Sequence, residues 1–202
     1  DIKHPQPSGA YIFRPNGSTP IDMGKSQVQI TVTQGNLVQE VRQQFGPWVS
    51  QVVRLYKDAK FAEFQWTVGP IPQGHMVGKE VITRFDSDIN SGKLFYTDAN
   101  GREVLKRVRD FRPTWKLNVT QNVSGNYYPV NGRAYIKDDQ DRQLTILNDR
   151  PQGAASIYSG SLEFMLHRRL FLDDGLGVGE PLNETGSDRH GLIARGIHRV
   201  YL

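Results

Sequence analysis

Apolar and polar side chains alternate with a period of two through much of this chain. From Phe61 to Val68, Ala62, Phe64, Trp66 and Val68 fall on one side and Glu63, Gln65 and Thr67 on the other. That is the pattern of a strand with one covered face. Gln27 to Val32 repeats it, with Val28, Ile30 and Val32 set against Gln27, Gln29 and Thr31, and predicts a half-buried strand. Strands are also predicted over Gly9–Phe13, Trp48–Tyr56, Lys79–Phe85, Lys116–Val123 and Ser161–Leu170, where β-branched and aromatic residues gather between breaks. Leu37 to Phe45 fits a helical face as well as a strand. Pro47 would limit a helix there to about two turns, and its neighbours read as strands, so a strand is expected.

The turns sharpen the pattern. Leu94 to Trp115 reads as a β-hairpin around Asp98-Ala99-Asn100-Gly101, with Val104, Val108 and Phe111 on the return strand. Asn-Gly between apolar runs is a strong hairpin signal, because both residues tolerate positive φ. Pro113 cannot donate to a ladder, so pairing should end near Arg112. Lys57–Lys60 is a second turn. Asn131-Gly132 is a third, flanked by Tyr127–Val130 and Ala134–Ile136 as a hairpin, and Asp138–Asp141 joins Tyr135-Ile136 to Leu144–Leu147 in another. Gly69–Gly74 is a break between strands. No repeat, low-complexity segment or true helix is found. The expected fold class is all-β, a large antiparallel β-sandwich of supersandwich type spanning residues 9–202, with residues 1–8, which carry Pro5 and Pro7, as a loose N-terminal end.

Composition changes this picture little. Of 202 residues, 37% are hydrophobic and 23% charged, a balance that builds a folded core rather than a disordered chain. No apolar run approaches the roughly 20 residues that span a membrane. Net charge is +4 and the pI about 9.3. The basic residues are scattered, and those between Arg102 and Arg112 alternate between strand faces, so they form no stripe for nucleic acid. The chain starts at Asp1 and stops within the apolar pattern Ile197–Leu202, which suggests a piece of something longer. Cysteine is absent. Four sequons stand at Asn16, Asn118, Asn122 and Asn183. Ten asparagines, in a chain where Ser and Thr are about a tenth, should give roughly one by chance. The excess points to a secretory-pathway glycoprotein. Asn118 and Asn122, four apart on the predicted strand, should share a solvent-facing side.

Candidate chemistry is thin. Asp138, Asp139 and Asp141 lack the spacing and the Glu of a calcium loop and read as a solvated turn. Asp173-Asp174 are paired carboxylates, but adjacent residues on a strand diverge and do not face each other across a cleft. Gly175-Leu176-Gly177-Val178-Gly179 opens no βαβ unit. His4, His75, His167, His190 and His198 show no zinc-ligand spacing, and no Gly-X-Ser-X-Gly elbow is present. Tyr11, Trp66, Trp115, Tyr127 and Tyr128 could stack on sugars or fill a sandwich core. The residues alone describe a glycosylated all-β module with no catalytic set and no metal site. A stand-alone carbohydrate-binding module of a secreted glycoprotein is one reading of it.

Several segments together resemble one family. Ser8–Asn16, Phe95–Glu103, Asn126–Val130 and His167–Leu170 followed by Asp173-Asp174-Gly175 are similar, in that order, to the C-terminal half of glycoside hydrolase family 38. The resemblance runs from about Ser8 to Leu182. It implies part of a zinc-dependent, retaining exo-α-mannosidase that removes terminal mannose from N-glycans at acid pH in the lysosomal lumen. The nucleophile and zinc ligands are then expected in an upstream domain outside this chain. The implied partners are other peptides of the same processed enzyme, the N-glycan substrate, and further copies in a homo-oligomer; neither nucleic acid nor membrane is implied. By the same resemblance Tyr11 contacts bound mannose. Relatives often carry Arg where Leu176 stands, and leucine cannot hydrogen-bond a sugar hydroxyl, so the second substrate contact would fall to Asp174 or to another chain.

Overall fold

The computed structural model describes residues 6–25 and 27–202. Among the described residues thirteen strands form two antiparallel sheets. In chain order they are β1 (Gln29–Gln34), β2 (Val38–Gly46), β3 (Val49–Tyr56), β4 (Ala62–Val68), β5 (Lys79–Asp86), β6 (Leu94–Ala99), β7 (Glu103–Val108), β8 (Tyr128–Val130), β9 (Arg133–Lys137), β10 (Gln143–Asn148), β11 (Gln152–Ala155), β12 (Ser161–Arg169) and β13 (Ala194–Tyr201). The large sheet has nine strands in the order β1-β2-β3-β4-β13-β10-β9-β6-β7, and the small sheet four in the order β5-β12-β11-β8. Among the described residues there is no α-helix, only short 3₁₀ turns at Met23–Lys25, Gly74–Met76 and Ser124–Asn126.

The core lies between the sheets. Phe95, Ala134, Ile136, Leu144 and Ile146 from the large sheet meet Val130, Ala154, Leu162 and Phe164 from the small one, all buried. Phe64 of β4 packs edge-on against Phe85 of β5, with centroids 5.2 Å apart. A second cluster around Trp66, Val68 and Ile71 continues this core under Val81 and Leu166. Trp66 can lie flat here because its β13 neighbour is Gly196, where a Cβ would stand 2.3 Å from the indole ring.

Two buried polar residues shape this interior. Asp98, in β6, is 3% exposed. Its Oδ1 accepts the backbone N–H groups of Asn131, Gly132 and Arg133 at 2.9, 2.9 and 3.1 Å, and its Oδ2 accepts that of Gly101 at 3.0 Å. Burial opposes ionisation of Asp98, but these donors outweigh it and hold the carboxyl below its ordinary range. His198 sits among Trp66, Phe85 and Phe164. Its Nε2 is 2.8 Å from Gln152 Oε1, and its Nδ1 has no partner among the described residues. Burial lowers its pKa to about 4, with Asp149 opposing.

Several sequence expectations form as read. The hairpin of β6 and β7 turns at Asn100 and Gly101, both at positive φ, 55° and 67°, but its return strand stops at Val108, so Phe111 lies beyond it and is exposed. Strands appear over 38–46, 49–56, 62–68, 79–86 and 161–169, and the turn at 57–60 carries Asp58 at φ 67°. Others are corrected. Gly9–Phe13 is not a strand but a turn in which Gly9 N–H bonds Ile12 C=O at 3.0 Å, and the N–H groups of Tyr11 and Ile12 are taken by the Asp174 side chain. The strand predicted from Gln27 begins at Gln29, and every residue of it is exposed rather than half-buried. Lys116–Val123 has no ladder partner and is irregular. Tyr128–Val130 and Arg133–Lys137 are no hairpin, since they lie in different sheets, and Asn131-Gly132 is where the chain crosses between them. The short strand β11 went unpredicted. Of the loose end expected over 1–8, residues 1–5 lie outside the described residues, while Gln6 and Ser8 are hydrogen-bonded.

Asp98→Asn would place an amide donor against one of the N–H groups and remove the charge. A loss of roughly 2 kcal/mol of unfolding free energy is expected in chemical denaturation. His198 has the same pH sign as a salt-bridged carboxylate, because its folded pKa is also lowered. Its folded pKa lies below its unfolded value of 6.5, so between those limits the unfolded chain binds more protons. Stability is then complete above pH 6.5 and falls, by about 3 kcal/mol, as pH drops towards 4. Denaturation midpoints across that range, compared with His198→Gln, check it; the variant should lack this slope.

Candidate functional site

The N-terminal segment crosses the outer face of the small sheet and, with β8 and β11, frames an open groove of ≈ 890 Å³. Asp174 builds its rim. This side chain is 3% exposed. Its Oδ2 accepts the N–H of Tyr11 at 2.7 Å and that of Ile12 at 3.1 Å, and its Oδ1 accepts that of Leu176 at 3.1 Å. Burial opposes ionisation, but the Tyr11, Leu176 and Ile12 donors and the charge of Arg168 outweigh it and hold the pKa low. Gly9 is required beneath this contact. A Cβ there would come within 2.6 Å of the Asp174 side chain.

More distant groups fix the segment along its length. Arg168 Nη2 donates to Ile12 C=O at 2.7 Å while its Nε donates to Glu80 at 2.7 Å. Arg14 N–H donates to Ser8 Oγ at 2.7 Å. Phe13 packs edge-on against Tyr127, with centroids 4.9 Å apart. The Tyr127 hydroxyl donates to Glu163 Oε1 at 2.6 Å, and Arg84 donates to Glu163 Oε2 at 2.6 and 3.0 Å. Burial, then Glu163, pushes the Tyr127 phenol well above its ordinary pKa. The groove wall is thus hydrogen-bonded into the small sheet, and the Tyr11 ring, 63% exposed, stands free at its mouth.

Tyr11 and Asp174, both singled out in the sequence, are therefore adjacent, joined through the Tyr11 N–H rather than ring to carboxylate. The Leu176 side chain is 53% exposed. Asn16, Asn118 and Asn122 are exposed, while Asn183 is half-buried and accepts Arg169 Nε at 2.7 Å. Trp66 is core, and Trp115 is exposed. Gln6, Arg14 and Arg168 were not foreseen as part of the site; Arg14 and Arg168 stand within the motifs Ser8–Asn16 and His167–Leu170, while no local signal marks Gln6. Among the described residues no three His, Asp or Glu side chains converge to hold a metal ion. His75, His167, His190 and His198 stand apart, and His4 lies outside the described residues. The side chains present do not fit a zinc site.

Residues 2–176 match the family model described as "Glycosyl hydrolases family 38 C-terminal domain". The chain is 57% identical over 197 residues to a protein of Bos taurus named lysosomal alpha-mannosidase, covering 98% of this chain and 19% of that protein. It is 55% identical over 202 residues to the Homo sapiens protein of the same name, covering 100% and 20%. A Canavalia ensiformis protein named alpha-mannosidase is 54% identical over 184 residues, covering 91% and 19%. The chain thus spans about a fifth of the length of these relatives.

Gly9→Ala should push the Asp174 carboxylate off the loop. Amide hydrogen exchange at Tyr11 and Ile12 is expected to rise about tenfold or more, with the core strands β9 and β10 unchanged.

Proposed function

We propose a function on one premise: the chain belongs to glycosyl hydrolase family 38, as part of its C-terminal domain. In this reading it is the β-sandwich part of a lysosomal α-mannosidase. The whole enzyme removes terminal α-linked mannose from N-glycans with retention of configuration. Zinc, held by residues outside this chain, would polarise the sugar there, and the nucleophile likewise lies elsewhere.

This chain's share is to edge the substrate site. One observation carries that role: Tyr11 is an exposed aromatic held on a rigid loop. Its backbone is fixed by Asp174 and Arg168, and its ring is left without a partner of its own in the core. A rigid aromatic face positions a sugar at low entropic cost. Asp174 acts in this reading through Tyr11. Its oxygens are occupied by backbone donors, so it sets the height and angle of the ring. Leu176, whose side chain cannot donate, leaves Tyr11 as the contact this chain offers. The exposed Asn16, Asn118 and Asn122 suit glycans in the secretory route that leads to a lysosome. Asn183 would need its Nδ2 free while Oδ1 keeps Arg169.

In the full-length protein, Tyr11→Ala should lower kcat/KM on terminal α-mannosides by about tenfold or more, with zinc content and melting temperature unchanged. Tyr11→Phe separates the hydroxyl from the ring. Wild-type kcat/KM in both variants would overturn the role.

A further inference from the structure

The two sheets differ in width by five strands, and three of the five lie at one end. Contacts place β4 opposite β5, through Phe64 on Phe85, and β5 is the last strand of the small sheet at that end. Strands β3, β2 and β1 continue past it. At about 4.8 Å per strand the overhang is roughly 14 Å wide.

The overhang has two unlike faces. Cross-strand register carries the inward side from Phe64 to Val53, then Val41, then Val32. That side holds Ile30, Val32, Gln39, Val41, Gln43, Gln51, Val53 and Leu55, without a charge. Ile30 and Val32 are each 59% exposed. The other side carries the ions. Arg54 bonds Glu40 at 2.7 Å, and Arg42 pairs with Glu40. A sheet solvated on both faces needs no such division. The inward side is patterned for burial, as the rest of that same sheet face is buried.

A second feature meets it there. Strand β5 pairs with β12 on one side only, so its other edge offers unpaired N–H and C=O groups at the boundary of the overhang. We infer that strands from another part of the same protein add to the free edge of β5 and lie over β3, β2 and β1, completing the small sheet. This occupant rests on the reading above, in which the chain is one portion of a longer α-mannosidase, and about four-fifths of the relatives' length is there to supply it. The added strands should be apolar on the side facing Val32, Val41 and Val53. Two or three of them would match the overhang.

The test uses the full-length protein. Thr31 and Val32 are neighbours on β1 with opposite facing, and this chain has no cysteine of its own. Val32→Cys and Thr31→Cys variants are labelled with a maleimide, and the labelled peptide is quantified by mass spectrometry. Cys at 32 should label about tenfold or more slower than at 31 in the native protein and equally fast after denaturation. Alternate amides of β5 that do not bond β12 should also be protected from hydrogen exchange. Equal native labelling rates would overturn the inference. So would protection at 32 with open β5 amides, which means a cover that adds no strand. Protection at 32 that disappears on dilution would assign the face to a second copy instead. Mannosidase activity of the same Val32→Cys sample is read separately, so that an active enzyme with a freely labelled position 32 removes this inference and leaves the functional reading standing.

Discussion

Backbone N–H groups bonded to buried carboxylates hold together the parts of this fold that no ladder reaches. Asp98 gathers the turn of the β6–β7 hairpin and the crossover at Asn131–Arg133 onto one side chain. Asp174 does the same for the Gly9–Ile12 turn and the turn that follows Asp174 itself. In each case a charge that would be costly to bury alone is balanced by several oriented dipoles. The consequence differs by location. Asp98 lies where the chain passes between the sheets, so it decides how they are joined. Asp174 holds the loop that lines the groove, so it decides what the groove presents.

The division of labour along β12 follows from that arrangement. Its inward residues Leu162 and Phe164 fill the core, while Glu163 and Arg168 on the outer side anchor Tyr127, Arg84 and the N-terminal segment. One strand therefore couples core packing to groove geometry.

Sequence reading succeeded where structure is set locally and failed where it is set at a distance. Asn100-Gly101 dictates its own hairpin, and the strict alternation of Ala62–Val68 needs only a neighbour on each side. The Gly9–Phe13 turn looks like a strand because its aromatic and β-branched residues have strand propensity, yet the partner that bends it, Asp174, lies 163 residues from Tyr11. Lys116–Val123 also alternates but has no ladder to join, and propensity without a partner makes no sheet. Alternation in β1 correctly marks which side chains share a face, but says nothing of whether anything covers them. The groove itself was only half legible. Tyr11 and Asp174 stood out in motifs, whereas the bond of Arg168 to the Ile12 carbonyl and that of Gln6 to the Asp174 carbonyl are backbone contacts that leave no local trace.

The order of strands in the large sheet sets β4 beside β13, and that of the small sheet sets β5 beside β12, although their sequence positions are far apart. The exposed turn at Asp139–Asp141 lies between both pairs in the chain, and the one across Gly175–Gly179 lies between β4 and β13. A protease cutting in either turn would sever one peptide bond and leave every one of these ladders, and the hold of Asp174 on the Tyr11 loop, in place. The molecule is laced rather than strung: segments far apart in the chain are joined by the sheets as well as by the chain.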